Sequence, residues 1–227
     1  VNPTQFNQTA DLDKYPITTS TDIALLTKVG CDVLFLPYVA EVYPPDLDTK
    51  VNIPLNGLES LMEGQFRPGH FAGVIQVVKR LLDITEPDNL YMGQKDFQQY
   101  SIIQHMAKTL ELPVNVVMAP TIREKNGLAK SSRNERLTKE QKEQASVIYQ
   151  SLSEAKKQIS TTSIDDITKK ALSKMNIPGF KPEYFDIVDG QTLQPVKNIN
   201  DTSMIVACTA VWAGDVRLID NFILKDH

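Results

Sequence analysis

The sequence predicts an α/β protein: a parallel-sheet domain followed by a smaller α+β domain. Three observations predict it. Up to about residue 120, short apolar runs alternate with stretches whose apolar residues recur at helical spacing. Start and stop residues bracket those stretches. Beyond Pro120 the alternation ends, and helices are followed by three extended runs, the last two at hairpin spacing. A length of 227 residues, 41% hydrophobic and 23% charged, is ordinary globular composition and excludes disorder, collagen and coiled coil.

The opening, Val1-Asn2-Pro3-Thr4-Gln5-Phe6, has no methionine, no charged leader and no apolar leader. It reads as the exit of a strand into a loop, so an upstream segment is expected. Thr21 to Val29 then carries Ile23, Leu25, Leu26 and Val29 behind a Ser20/Thr21/Asp22 start, and stops at Gly30. Val33 to Leu36, closed by Pro37, reads as a buried strand. Gly69 to Thr85 places Phe71, Val74, Ile75, Val78, Leu81 and Leu82 at helical spacing, and Glu86-Pro87-Asp88 breaks it. Asn89 to Met92 is a short strand. A helix from about Asp96 to Thr109 presents Phe97, Tyr100, Ile103 and Met106 or Ala107, and Val114 to Met118 is a further strand ended by Pro120. Helices and strands alternating at these lengths imply a parallel sheet.

Past Pro120 a polar loop, Arg123 to Arg136, leads into a long charged helix with a Thr138-Lys-Glu-Gln141 capping box. A helix near Ile164 to Met175 precedes strands at Tyr184 to Val188, Met204 to Trp212 and Val216 to Leu224, the last two joined at Ala213-Gly214-Asp215. The change of pattern sets domains at 1–120 and 121–227.

The net charge of −4 is uneven. Residues 1–120 carry 8 basic and 14 acidic side chains, and 121–227 carry 16 and 14. Five basic residues lie between Arg123 and Arg136 against Glu124 and Glu135. That is too few for duplex nucleic acid and enough for a small polyphosphate, so the expected ligand is a nucleotide and not DNA. No apolar run approaches the ~20 residues that span a bilayer. That predicts a soluble protein, and Cys31 and Cys208 sit in apolar, strand-like surroundings, which predicts buried free thiols and a reducing cytoplasm. His70, His105 and His227 have no companions at zinc spacing.

Walker, Gly-x-Gly-x-x-Gly and Gly-x-Ser-x-Gly signatures are absent. Gly93-Gln94-Lys95-Asp96-Phe97-Gln98-Gln99 lies where a strand ends and a helix begins, where ligands sit on open α/β sheets and free N–H groups attract anions. Lys95 adds a mobile charge, and Gln99, one turn on, offers an amide to the same cleft. Taken alone, this stretch reads as a helix cap with Asp96 in its first turn. Gly127-Leu128-Ala129-Lys130-Ser131-Ser132-Arg133-Asn134 reads as a polyphosphate clamp: two hydroxyls for phosphate oxygens, and Lys130 with Arg133 to stabilise leaving pyrophosphate. Taken alone it reads as a solvated linker. Arg67-Pro68-Gly69-His70-Phe71 opens a helix and is the weaker signal, and Arg217 with Asp220 reads as a structural cross-strand or edge pair.

Together and in this order, these stretches resemble the pantothenate synthetase family of ATP-dependent ligases joining pantoate to β-alanine. Besides the opening six residues, Gly93 to Gln99 and Gly127 to Asn134, the matching residues are Leu61-Met-Glu-Gly through Arg67-Pro-Gly-His-Phe71-Ala-Gly-Val74 and Ala213-Gly-Asp-Val-Arg217-Leu-Ile-Asp-Asn221. The resemblance implies a Rossmann-like nucleotidyltransferase domain to about residue 120, a C-terminal lid, ATP with Mg2+, a homodimer, and no membrane or nucleic-acid partner. It implies pantoate and β-alanine contacts at Asn2, Gln5 and Gln99, and ATP contacts at Gly93, Gln94, Lys95, Asp96, Ile122, Lys130, Ser131, Ser132 and Arg133. Lys95, Lys130 and Arg133 are the implied catalytic residues. No metal ligand is implied. Many relatives carry glutamate at the position of Gln94. The family's first strand and its Met-Gly-x-Leu-His-x-Gly-His motif have no counterpart here, so the expectation includes an enzyme whose upstream segment is absent, and beside it an inactive fragment. Another adenylate-forming enzyme with a different acid is the remaining alternative.

Overall fold

The computed structural model describes residues 2, 15 and 17–226. The chain divides into two compact units, Val1–Asn52 with Pro68–Glu86, and Ile53–Arg67 with Pro87–His227. The change of sequence pattern at residue 120 coincides with the end of a strand and not with this division.

In the first unit, α1 spans Thr19–Lys28, two residues ahead of the predicted start, and α2 is one turn at Val39–Val42. The predicted apolar face of α1 is open: Ile23, Leu25 and Val29 are exposed. The short α3, Met62–Phe66, belongs to the second unit, and the chain then returns to the first for α4, His70–Thr85. Helix α4 buries Phe71, Val74, Ile75 and Leu82 as its spacing predicts. Gln76 donates to Thr49 Oγ1 at 2.7 Å and Arg80 donates to the Val42 carbonyl at 2.9 Å, tying a preceding loop and the end of α2 to α4.

Two expectations fail here. Val33–Leu36 is not a buried strand: it has no regular structure and Val33 is 82% exposed. A continuous apolar run is buried in a sheet only between paired neighbours, and among the described residues no strand pairs with it. Cys31 is correspondingly exposed, its thiol donating to the Val33 carbonyl at 3.3 Å, whereas Cys208 is buried in a strand as expected. Burial first, and then the nearby Asp186, Glu63 and Asp220 carboxylates, push the Cys208 thiol far above its ordinary range.

The second unit begins its α/β part with β1 (Asn89–Gly93) and β2 (Asn115–Ala119), which pair in parallel from Asn89↔Asn115 to Gly93↔Ala119. Between them run a 3-10 turn, Gln94–Asp96, and α5 (Phe97–Thr109), which packs on both strands. The expected long charged helix is two, α6 (Lys139–Gln144) and α7 (Ser146–Gln158), joined at Ala145; the Thr138/Gln141 capping box is present at 3.1 and 2.9 Å. Helix α8 (Ile164–Met175) follows, capped by Ser163. Strands β3 (Phe180–Asp189), β4 (Met204–Ala213) and β5 (Val216–Asp226) form an antiparallel sheet in that order, with Gly214-Asp215 as the two-residue turn. Helices α7 and α8 cover this sheet, enclosing Ile148, Leu152, Met175, Phe185, Ile205 and Val211.

Residues 58–67 are held from two sides. Gln98 of α5 accepts from the Glu63 N–H at 2.9 Å and donates to the carbonyls of Leu58 at 2.7 Å and Leu61 at 2.9 Å. Glu63 takes two bonds from Arg217 of β5, at 2.7 and 2.8 Å, and a third from the Tyr184 hydroxyl at 2.8 Å. Arg217 also bonds Glu183, at 2.9 and 2.6 Å. A Cβ at Gly64 would lie 1.8 Å from the Glu59 carbonyl oxygen, so only glycine lets this turn close. Arg217 and Asp220 are therefore not paired with each other; each reaches a partner far away in sequence.

Burial would raise the Glu63 carboxyl, but the hydrogen bonds and charge of Arg217, with Tyr184 and Arg67, outweigh it and hold it below its ordinary 4.5. A lowered folded value stabilises the protein above pH ~4.5, and that contribution disappears as the pH falls through the folded value. Glu63→Gln should cost about 3 kcal/mol at pH 7 and flatten the acid limb of a stability-versus-pH curve; an unchanged limb would mean that Glu63 does not carry this coupling. Leu152→Ala, at a fully buried position, should cost about 2–5 kcal/mol, read as a lower urea midpoint at constant m value.

Candidate active site

The Gly93–Gln99 stretch begins at the last residue of β1, at the carboxyl edge of the parallel pair, as its sequence predicts. Gly93 is extended and exposed, Gln94–Asp96 form the 3-10 turn, and Asp96 stands at the N-cap of α5 without a side-chain cap bond. The half-buried Lys95 side chain makes no hydrogen bond or ion pair among the described residues. Its charge nevertheless reaches Asp220, whose carboxyl it pulls down against the larger upward effect of burial and alongside the stronger pull of Arg123. Gln98 and Gln99 divide their duties by helix face. Gln98 is buried and commits its whole amide to residues 58–63, while the half-buried Gln99 amide is free of hydrogen-bond partners among the described residues.

Ile122 to Lys130 folds back on itself through the bridge Arg123↔Ala129, with the Lys130 N–H donating to the Ile122 carbonyl at 2.9 Å. Ile122 is 67% exposed at the mouth of this loop. Gly127 sits at the bend with φ +91°, where a Cβ would lie 2.4 Å from the Tyr149 ring. Lys130 and Ser132 are exposed; Ser131 Oγ accepts from the Arg133 N–H at 3.3 Å and begins the 3-10 turn Ser132–Arg136. Buried Asn134 donates to the Ala129 carbonyl at 3.0 Å and fixes the base of the loop.

Arg123, one of the five basic residues of the clamp segment, is committed elsewhere. It makes two bonds to Asp220, at 2.6 and 2.9 Å, and one to the Gly127 carbonyl at 3.0 Å. Its guanidinium carbon lies 5.1 Å from the Tyr149 ring centroid and 4.8 Å from that of Phe222. Arg136 reaches the Asp215 carbonyl at 3.5 Å. Lys130 is exposed between the Arg123↔Ala129 bridge and the 132–136 turn, and strand β5 backs both the 94–96 turn and the 132–136 turn.

Asn2 lies in the first unit, where its side chain accepts from the Tyr43 hydroxyl at 3.0 Å. Gln5 lies outside the described residues. All the other predicted site residues, Gly93, Gln94, Lys95, Asp96, Gln99, Ile122, Lys130, Ser131, Ser132 and Arg133, belong to the second unit. Sequence reasoning left Arg123, Asp220 and Asn221 without a role at the site. The signal was two consecutive polar residues, Asp220-Asn221, inside the apolar run of β5, since buried strand positions admit such residues only with partners.

The pantoate-beta-alanine ligase family model matches residues 1–223. A pantothenate synthetase of Azobacteroides pseudotrichonymphae is 47% identical over 224 residues, covering 97% of this chain and 79% of that protein. One of Bacteroides fragilis strain YCH46 is 45% identical over 228 residues, covering 100% and 80%. Among solved structures, a pantothenate synthetase of Thermus thermophilus superposes with a TM-score of 0.92 at 36% identity, covering 99% of this chain and 81% of that one. A pantoate-beta-alanine ligase of Francisella tularensis, complexed with beta-gamma ATP and beta-alanine, gives 0.76 at 36% identity, covering 99% and 77%. With a match across nearly its whole length and its two cationic loops on the predicted elements, this chain belongs to the pantoate–β-alanine ligase family.

Proposed function

We propose that the chain catalyses the ATP-dependent condensation of (R)-pantoate with β-alanine to pantothenate. The observation that carries the reading is the backing of two cation-bearing loops, around Lys95 and Lys130, by one strand, in a member of this family. The Francisella relative's complex with an ATP compound and β-alanine supports the choice of ligands.

In the first step a carboxylate oxygen of pantoate attacks the α-phosphorus of ATP. The new P–O bond forms as the bond to the β-phosphate bridging oxygen breaks, and pyrophosphate leaves with the electron pair. The neutral amine of β-alanine then attacks the acyl carbon of the pantoyl adenylate, AMP leaves, and the amine's extra proton passes to water. The first displacement demands no protein base, because the nucleophile is already ionised, so orientation and charge neutralisation dominate. Lys95, Lys130 and Arg133 supply the charge, Ser131 and Ser132 the hydroxyls, and Gly93, Gln94 and Asp96 the rest of the turn beside the phosphates. Ile122 lies at the adenine, and Gln99, Asn2 and Gln5 hold pantoate, with Gln5 also near β-alanine. ATP arrives as its magnesium complex, the metal being held by phosphates and water as part of the substrate; among the described residues no three His, Cys, Asp or Glu side chains gather to hold an ion.

In this reading residues 1–120 bind nucleotide and pantoate and residues 121–227 form the lid of a cytoplasmic homodimer. The family resemblance supports this part. No described helix is long and apolar enough to cross a membrane.

Pyrophosphate release from Mg-ATP should depend on pantoate; release that ignores pantoate, or that another carboxylic acid drives better, overturns the reading. Lys95→Ala should slow pantoate-dependent release by about 100-fold or more with little change in thermal stability. Gln99→Ala should raise the KM for pantoate more than that for ATP, and equal rises would give Gln99 a structural role.

A further inference from the structure

Asn221 is 1% exposed in the middle of β5, and its amide is committed to one turn. Nδ2 donates to the carbonyls of Gln94 at 2.8 Å and Lys95 at 2.9 Å, while Oδ1 accepts from Gln94 Nε2 at 3.2 Å. Two carbonyl acceptors require the NH2 end, so the amide has one orientation. The neighbouring Asp220 holds the backbone beneath it: Asp220 Oδ1 accepts the Asn221 main-chain N–H at 2.8 Å and also an Arg123 N–H at 2.9 Å. Arg123 in turn bonds the Gly127 carbonyl. Asn221 therefore fixes the backbone on both sides of the Lys95 Cα, whereas the Lys95 ammonium itself has no hydrogen-bond partner among the described residues.

We propose that Asn221 is a positioning residue for Lys95, acting through the Gln94 and Lys95 carbonyls to set the direction of the ammonium. The proposal rests on the role given to Lys95 above. It assigns the last strand a task in the chemistry that no direct contact with substrate requires. Asp220 and Arg123 extend the same frame to the loop that carries Lys130. A merely structural polar pair would hold the sheet together; this pair instead holds the two turns that bear the site's cations. A lysine whose backbone can tilt wanders by an ångström or more at its ammonium, and a misplacement of that size is enough to cost about 100-fold in rate.

The test is a double-variant comparison on pantoate-dependent pyrophosphate release. Asn221→Ala should lower kcat by about 10- to 100-fold while the KM for ATP changes far less. Asn221→Ser, which keeps one hydroxyl donor, should recover part of the loss. Lys95→Ala/Asn221→Ala should be as slow as Lys95→Ala and no slower, because Asn221 acts through Lys95. Multiplicative losses in the double variant, or a loss confined to KM, overturn the proposal. If Asn221→Ala fails to fold, as thermal unfolding will report, Lys95→Ala/Asn221→Ser against Lys95→Ala carries the same comparison. Failure of the underlying reading is separate: Lys95→Ala would then release pyrophosphate at the unmodified protein's rate.

Discussion

Arg217 shares its guanidinium between two carboxylates, Glu63 of the short helix α3, 154 residues earlier in the chain, and Glu183 on β3 of its own sheet. All three side chains are largely withdrawn from water. Removing charges from solvent costs several kcal/mol apiece, and that cost is offset only when every lone pair and proton finds a partner. Here each side-chain nitrogen and oxygen has at least one: Tyr184 adds to the bonds of Glu63, and Trp212 takes the second oxygen of Glu183 at 3.0 Å. The Tyr184 phenol, raised first by burial and then by the Glu63 charge, remains a donor. Such a network tolerates few geometries, and its value lies in choosing one way for residues 58–67 to meet the antiparallel sheet.

That choice passes to the site through α5. Gln98 grips residues 58–63, so the helix that starts at Phe97 is fixed in rotation about its axis. A helix fixed in that way leaves Gln99 on the next face with its amide unspent. Among the described residues the Lys95 and Gln99 side chains, the groups that the proposed function offers to a ligand, have no internal hydrogen-bond partners and are set on backbone that the rest of the unit holds in place. Rigidity at the backbone and freedom at the side-chain tips are what a site for a highly charged ligand needs, because the ligand's phosphates supply the missing partners.

Much of this was legible in the sequence, and the misses share a cause. Helices α4, α5 and α8 lie where predicted, and at α4 and α5 the periodic face read from the sequence is the face that packs. The β1 and β2 strands, the final hairpin and the two cationic loops follow from patterns a few residues wide. Val33–Leu36 and Cys31 looked buried because apolar runs usually are; burial also requires a neighbour, which the run itself does not encode. Arg217, Asp220 and Asn221 were visible as residues and not as roles. Their partners outside the antiparallel sheet are 97 to 154 residues away, and no local period points across such a gap. The same holds for Arg123, which composition groups with the phosphate-facing cations and which the fold assigns to Asp220 and two aromatic rings.

The position of Asn221 in β5, the last strand, has a consequence for how the protein is made. The turn around Lys95 and the loop around Lys130 leave the ribosome early, yet the strand that fixes both is synthesised more than 80 residues after Lys130. Chains are made and folded from the amino end onward, and contacts so distant in sequence form late. For much of its synthesis the nascent chain thus exposes a cation-rich loop in no fixed geometry, and nucleotide-binding geometry is gained in one late event when β5 docks.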